Sequence, residues 1–531
     1  MPLRKAGTLV FDVLLHGGWL ADGTGGPVYR ADLAITGNRI TAVGRLAGRP
    51  AGTEIDVGGR YLLPGFVDTH VHADALAADP DVQLAALRQG VTTLLLGQDG
   101  LSFAPASAAT IRFVSRYFGP VNGPAPAEFA DGVTVAELLA HYDRATALNV
   151  GYLAPAGTIR AEVLGFAGGP ADADQLAAMR RLVETALDDG ALGLSTGLEY
   201  VPGSFADAAE LAALCAPVAA AGGVYVTHMR GYEAQAWQGL AEVVDIAGRS
   251  GVAAHVSHLH GPTNMLHSLL ADAREQGHDL TFDAYPYLRG SSILAMVALP
   301  PDVQRAGPDD TLARLADPAE RARLRADWFP AIEDVLDRIT LAHVDSPDWT
   351  WTEGQSLRAA AATAGMPAGE LVCELISASR LGAGCVFAQP PTNTDTDLRT
   401  LLRHESHLGG SDGILLGGHP HPRGWGTFAR FLARHTRELG DWTWGQAALH
   451  LAGHPARRFG LAGRGELRAG KVADVVVVDP ATVLDRASYQ QPRQLADGID
   501  HVLVGGEFAL RDGRLTGATP GRALRRHEEP A

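Results

Sequence analysis

Between positions 66 and 285 the chain keeps returning to one arrangement. A short, nearly continuous apolar run ends in Gly, His, Asp or Thr, and a longer stretch with apolar residues at helical spacing follows. Apolar runs without alternation predict strands buried on both faces, and strands alternating with helices predict a parallel sheet covered by those helices. Seven such runs fall at 66–72, 91–97, 150–154, 192–196, 223–228, 253–258 and 280–285, and an eighth at 408–412. Helical patterns lie between most of them, for example at 174–189 and 236–250. Eight βα units predict a TIM (β/α)8 barrel of the α/β class, with an open doubly wound sheet as the other arrangement. Over a hundred residues separate the seventh and eighth runs. That is too many for a crossover, so an insertion is expected at about 288–340, with its return to the barrel within 329–353 and 358–376.

Both ends of the chain carry a different pattern, short apolar runs separated by Gly, Asp and Asn. They fall at 11–15, 31–35 and 40–43 near the start, and at 473–478 and 499–504 near the end, where Gly505-Gly506 marks a hairpin turn. Neither end holds enough strands to bury a core alone. The expectation is one small β-sandwich domain built from residues 1–62 and 463–531, flanking a barrel at 63–462.

Composition narrows the partners. Of 531 residues, 46% are hydrophobic and 20% charged, as in globular proteins, and glycine (63) and proline (31) are scattered without a period. Sixty acidic against 44 basic residues give a net charge of −16 with no basic block, which argues against nucleic acid and anionic membranes as partners. The three cysteines (Cys215, Cys373, Cys385) form no CxxC pair, so neither a disulfide framework nor a thiolate zinc site is expected. The start of the chain lacks a sustained apolar leader, and no stretch of about 18 apolar residues occurs. These features together predict a cytoplasmic protein acting on a small molecule; the oligomeric state is not legible.

The candidate chemistry sits at strand ends. His70-Val71-His72 closes the first run, and in a strand alternate side chains share a face, so both imidazoles point one way. That geometry suits a metal, though a pair of polar caps at a strand end is the simpler reading. His228 closes the fifth run, His258 the sixth, and Asp412 the eighth. In a barrel all these ends surround one cavity. His255 lies out of register with His258 and is read as structural. Asp99, in Gly97-Gln98-Asp99-Gly100, ends the second run beside the HxH pair, where it either bridges two metals or serves as a turn aspartate before glycine. Binuclear hydrolases of this build often bridge their metals with a carboxylated lysine, but the only lysines here, Lys5 and Lys471, lie outside the expected barrel.

These motifs resemble the N-acyl-D-amino-acid deacylases, or D-aminoacylases, of the amidohydrolase superfamily. The likeness runs through Asp22-Gly23-Thr24-Gly25, the stretch PGFVDTHVH ending at His72, and GLSTGLEYVPGSF from Gly193. It continues through Tyr225 to Arg230, Val256-Ser257-His258, Asp283-Ala284-Tyr285-Pro286-Tyr287, Gly410-Ser411-Asp412-Gly413 and His421-Pro422-Arg423. The resemblance implies zinc, one ion or two, at the barrel mouth. His70 and His72 correspond to ligands of one position, His228 and His258 to ligands of the other, and Asp412 to the catalytic carboxylate. It implies hydrolysis of an N-acyl-D-amino acid or related amide, with Asp412 as general base and then general acid.

Three departures from that family stand out. Asp99 replaces the usual cysteine of Gly-Asn-Cys-Gly. Gly231-Tyr232 replaces an acidic pair, and His260 replaces a lysine close to the substrate. Tyr285 is a candidate oxyanion donor, Ser291 or Ser292 a candidate substrate contact, and Arg289, Arg230 and Arg423 candidates for a substrate carboxylate. A core aromatic and structural arginines are the competing readings. Two other functions remain open from sequence: a related metal hydrolase acting on a cyclic amide, ester or dipeptide, and a non-catalytic binding barrel.

Overall fold

The computed structural model describes residues 11–526. Its barrel strands are β1 (Phe66–Asp68), β2 (Val91–Leu96), β3 (Asn149–Pro155), β4 (Gly193–Gly197), β5 (Val224–His228), β6 (Ala253–Val256), β7 (Leu280–Ala284) and β8 (His407–Gly409). Each pairs in parallel with its neighbour from β1 through β8. The ring closes where Thr69 N donates to Gly409 O at 3.3 Å and Asp412 N to His70 O at 2.7 Å, beside a short parallel pairing of Val71–His72 with Gly413–Ile414. The eight predicted runs are the eight strands of a TIM barrel.

Burial explains why those runs were apolar throughout. Every residue of β2 and β5 is buried, as strands covered on both faces require. Inside the barrel Val67, Leu95, Leu153, Val226 and Leu408 pack with Phe459 and Leu461, so the interior is a core and not a pore. Outside, the helix Ala173–Asp188 starts at a capping box of Asp172 with Gln175, and Ala236–Ser250 ends at Gly251 in the left-handed region.

The two ends of the chain meet in one nine-stranded sheet. Strand Tyr61–Pro64 pairs antiparallel with Val475–Val478, and Phe11–Leu20 pairs in parallel with both Ala51–Asp56 and Tyr61–Pro64. Val13, Leu15, Leu33 and Ile35 from one end share a core with Val475, Val477 and Leu503 from the other. Gly505-Gly506 turns between Ile499–Val504 and Glu507–Arg511, both glycines at positive φ as a two-residue hairpin demands. The tail beyond this sheet returns to the barrel: Gly521 N donates to Thr146 O, and Leu524 N to Val150 O at the start of β3.

The insertion reaches further than the sequence suggested. Strands Arg289–Ile293, Ala383–Ala388 and Ile339–Val344 form an antiparallel sheet between β7 and β8, with a core of their own that includes Leu294, Leu341, Leu357, Leu371 and Leu375. Segments 329–353 and 358–376 therefore belong to the insertion and are not its return. Helix Asp395–Leu402 leads back to β8. Helices and strands alternate inside the insertion as they do in the barrel, so its sheet is told apart only by its antiparallel pairing.

Candidate metal centre and active site

Six side chains proposed from sequence converge at the C-terminal rim. His70 and His72 follow β1, Asp99 follows β2, His228 ends β5, His258 follows β6 and Asp412 follows β8. All six are buried. Asp99 lies at their centre. Its Oδ1 is 3.5 Å from His70 Nε2 and 3.9 Å from His258 Nε2, and its Oδ2 is 3.6 Å from His72 Nε2 and 3.5 Å from His228 Nδ1. Asp412 Oδ1 lies 3.4 Å from His72 Nε2 and 3.7 Å from His70 Nε2.

The backbone is bent to achieve this. Asp99, His258 and Asp412 all take positive φ (54°, 36° and 49°), a conformation that costs a non-glycine residue of order 1–3 kcal/mol and tends to cluster at functional sites. Gly97 and Gly100 flank Asp99 and are also left-handed. A Cβ on Gly97 would come within 2.2 Å of Leu153 O, and one on Gly100 within 2.7 Å of Gly197 N. Only glycine lets this turn lie flat against β3 and β4 and aim the carboxylate inward.

A second tier of side chains orients the first. Asn122 Oδ1 accepts from His72 Nδ1 at 3.0 Å, and Glu199 Oε2 accepts from His228 Nε2 at 2.9 Å. Asp283 Oδ2 faces His70 Nδ1 at 3.6 Å, accepts from His255 Nε2 at 2.9 Å, and through Oδ1 accepts from His258 N at 2.8 Å. In His72 and His228 the outer ring nitrogen is thus occupied and the inner one free, the arrangement found around metal-ligating histidines. His255 has the structural role expected of it, bridging Thr281 and Asp283. Asp283 and Glu199 lie inside the DAYPY and GLSTGLEY stretches, so sequence carried a signal for them without a role. Asn122, in the short helix Gly119–Asn122, carried none.

The electrostatics are those of a site built around positive charge. Burial works against ionisation of Asp99 and Asp283, yet the imidazoles around them hold both carboxyls far below the usual range. Burial likewise opposes charging of His70 and His228, but the surrounding carboxylates raise them to about 9 and about 10. Burial dominates at His258, which falls to about 3. Asp99 Oδ1, His228 Nδ1 and His70 Nδ1 are buried with no hydrogen-bond partner. The donor atoms of His70, His72 and Asp412 lie within 4.8 Å of one another, as do those of His70, Asp99 and His258. Imidazole and carboxylate donors at this spacing fit a divalent cation such as zinc. His228 falls outside both groups, although its Nδ1 lies 3.5 Å from Asp99 Oδ2.

The other candidates divide. Tyr285, Ser291 and His260 line the cavity above the cluster, together with Asp99, His228, His258 and Asp412. Ser291 Oγ donates to Cys385 O, Ser292 Oγ pairs with Tyr200 Oη at 2.8 Å, and His260 stacks on Tyr232 and donates through Nδ1 to His258 O. Arg423 is fully buried. Its Nη2 sits 2.7 Å from Asp412 Oδ2 and its guanidinium lies over the Tyr285 ring, so it contacts the carboxylate of this chain instead of facing the cavity. Arg289 packs over Tyr489 and is not among the cavity-lining residues, and Arg230 is occupied by Glu242, Ser204 O and Ala206 O.

A TIM barrel whose rim gathers four imidazoles and two carboxylates around one cavity has the build of a metal-dependent hydrolase. The chain belongs to the amidohydrolase family, whose model matches residues 53–509. It is 34% identical to D-aminoacylase of Alcaligenes xylosoxydans xylosoxydans, over 97% of this chain and 98% of that protein. It is also 34% identical to N-acyl-D-glutamate deacylase of the same organism, over 97% and 96%. The crystal structure of N-acyl-D-glutamate deacylase from Bordetella bronchiseptica, complexed with zinc and a phosphonate mimic of the tetrahedral intermediate, superposes with a TM-score of 0.82 at 31% identity, covering 97% of this chain and all of that one.

Proposed function

We propose that this protein is a zinc-dependent deacylase that hydrolyses the amide bond of N-acyl-D-amino acids. The observation that carries the reading is the single buried cluster of His70, His72, Asp99, His228, His258 and Asp412, in a chain similar from end to end to D-aminoacylase. The D configuration rests on the relatives.

In this reading His70, His72 and Asp412 would hold one metal position and His228 and His258 the other, with the Asp99 carboxylate between them. Bound there, zinc supplies a polarised amide carbonyl and a water acidic enough to attack at neutral pH. Asp412 accepts the proton of the attacking water and delivers it to the departing nitrogen, acting as base and then acid. Burial opposes the ionisation of Asp412, but Arg423 together with His72, His258 and His70 outweighs it, so the carboxyl is ionised at rest and able to accept a proton. The pairing also fixes Oδ2 and leaves Oδ1 toward the histidines, which makes Arg423 a positioning residue. Burial pushes the Tyr285 hydroxyl up, keeping it protonated as a donor to the developing oxyanion. Ser291 and His260, which line the same cavity, are the substrate contacts of this reading.

No helix among the described residues is long and apolar enough to cross a membrane. The three buried, unpaired cysteines agree with a reducing, cytoplasmic compartment. The test is release of free amine from matched N-acetyl-D- and N-acetyl-L-amino acids by protein of measured zinc content. Hydrolysis confined to the D series supports the reading. Ring opening of hydantoins without it would move the chain to cyclic amides, and zinc-loaded protein inert to all of them would leave a binding barrel.

A further inference from the structure

The connection between strands Val475–Val478 and Ile499–Val504 of the terminal sheet leaves that sheet and reaches the segment that follows β8. There Asp485 Oδ2 lies 3.0 Å from Arg430 Nη1, and Tyr489 Oη lies 3.3 Å from His421 Nε2. Arg289, which opens the first strand of the insertion, places its Cζ 4.2 Å above the centroid of the Tyr489 ring. One side chain of the terminal connection thus touches both the loop after β8 and the insertion. Tyr489 does not itself line the cavity.

What Tyr489 touches leads on to the reacting groups. His421 is fully buried, and burial together with the neighbouring Arg423 keeps its ring neutral. Its Nδ1 accepts from Arg423 N at 3.0 Å, so the one ring proton is on Nε2, which donates to Tyr489 Oη. Arg423 opens the helix Arg423–Arg430, binds Asp412 Oδ2 at 2.7 Å and covers the Tyr285 ring at 4.5 Å. Its Nε and Nη1 are buried and bond to no group among the described residues, and Nη2 adds only a 3.4 Å contact to Ser291 O. With a single nitrogen anchored, the guanidinium takes its direction from where its backbone is held, and His421 holds it.

From this we infer that Tyr489 is a positioning residue for the reaction. Through His421 it fixes the start of the Arg423 helix, and through Arg423 it sets the orientation of the Asp412 carboxylate and the Tyr285 ring. The terminal sheet thereby takes part in catalysis without touching the substrate. The inference rests on the deacylase reading for the roles of Asp412 and Tyr285 and adds a residue to it.

The experiment is steady-state kinetics on zinc-loaded protein with an N-acetyl-D-amino acid. Tyr489→Phe keeps the ring beside Arg289 and loses only the acceptor, so kcat is expected to fall about fivefold, the worth of one hydrogen bond. Tyr489→Ala also removes the ring between Arg289 and His421, and a displacement of about 1 Å at the reacting groups can cost about 100-fold. KM and bound zinc should stay within about twofold of the parent, since Tyr489 lines neither the cavity nor the metal cluster. The comparison that separates positioning from mere structure is made in Arg423→Ala, with Arg423→Gln as the background should the first fail to fold. There Tyr489→Phe should change kcat by less than about 1.5-fold, because its effect travels through the missing guanidinium. Equal factors in both backgrounds, an unchanged kcat in both Tyr489 variants, or a loss that falls on KM or on zinc would overturn the inference while leaving the deacylase reading in place. A parent inert to every N-acyl-D-amino acid would fail the deacylase reading instead. Where turnover is too slow to read, in the parent or in the Arg423 background, crystal structures of the two Tyr489 variants decide. The inference stands if in either the contact of Arg423 Nη2 with Asp412 Oδ2 lengthens beyond the hydrogen-bond limit of about 3.2 Å, and falls if both keep it at 2.7 Å.

Discussion

Replacing Glu199 by alanine removes the acceptor that holds His228 with its Nδ1 turned inward. The bond is well formed, 2.9 Å from Nε2 to Oε2, but the Glu199 side chain is 34% exposed. Loss of such an outer partner typically weakens metal binding by about 10–100-fold, and here water can reach the vacated position, which sets the expectation at about tenfold, or about 1.4 kcal/mol. Glu199→Gln keeps an acceptor and loses only the charge, so about threefold is expected. Asn122 performs the same service for His72 but is fully buried, where water cannot substitute, so Asn122→Ala should fall nearer 100-fold. The assay is zinc affinity by competition with a chromophoric chelator, on variants whose circular dichroism matches the parent. Unchanged affinity in Glu199→Ala, or an equal loss in its glutamine variant, would refute the idea that this contact orients a ligand.

Three further expectations bear on the same centre. Asp412→Asn should lower kcat by about 10²–10⁴ while the protein stays folded and zinc-loaded, as steady-state kinetics with metal analysis would report; retained turnover would remove Asp412 from proton transfer. Asp99→Ala should lower bound zinc, read by elemental analysis, far more than it lowers the melting temperature, since Asp99 faces all four histidines; undiminished zinc would make it only a turn residue. In metal-free protein His70 and His228 sit at about 9 and about 10 against an ordinary 6.5, so their stabilisation is complete below about 6.5 and is lost as pH rises through 9 to 10. Melting temperature of the metal-free form should therefore fall between pH 7 and 10 while that of the zinc-loaded form holds, and parallel curves would contradict the assignment.

What could be read from sequence followed from how each feature is encoded. Strands such as β2 and β5 are buried on both faces, so their apolar runs mark them directly, and a chemistry-bearing residue at the end of each run becomes a rim residue once eight strands close. Strand Ile339–Val344 is a short apolar run like a barrel strand, with Thr340 and His343 half-buried, and its antiparallel pairing with Ala383–Ala388 assigns it to the insertion. Arg423 was a candidate for the substrate because its partner, Asp412, is a contact made in space, eleven residues away. The choice of Nδ1 over Nε2 at His228 depends on Glu199, which comes from a different strand end. Asn122 lies in a helical turn without any distinguishing motif. Residue type and periodicity thus carried the scaffold and the inner donors, whereas the partners that orient those donors depended on packing between distant segments.

Anomalous diffraction at the zinc edge from crystals of metal-loaded protein addresses the central claim most directly. The account predicts density between His70, His72, Asp99, His228, His258 and Asp412, with nitrogen and oxygen donors at about 2.0–2.2 Å. Zinc bound elsewhere on the chain, with this cluster empty in protein that hydrolyses N-acyl-D-amino acids, would contradict it.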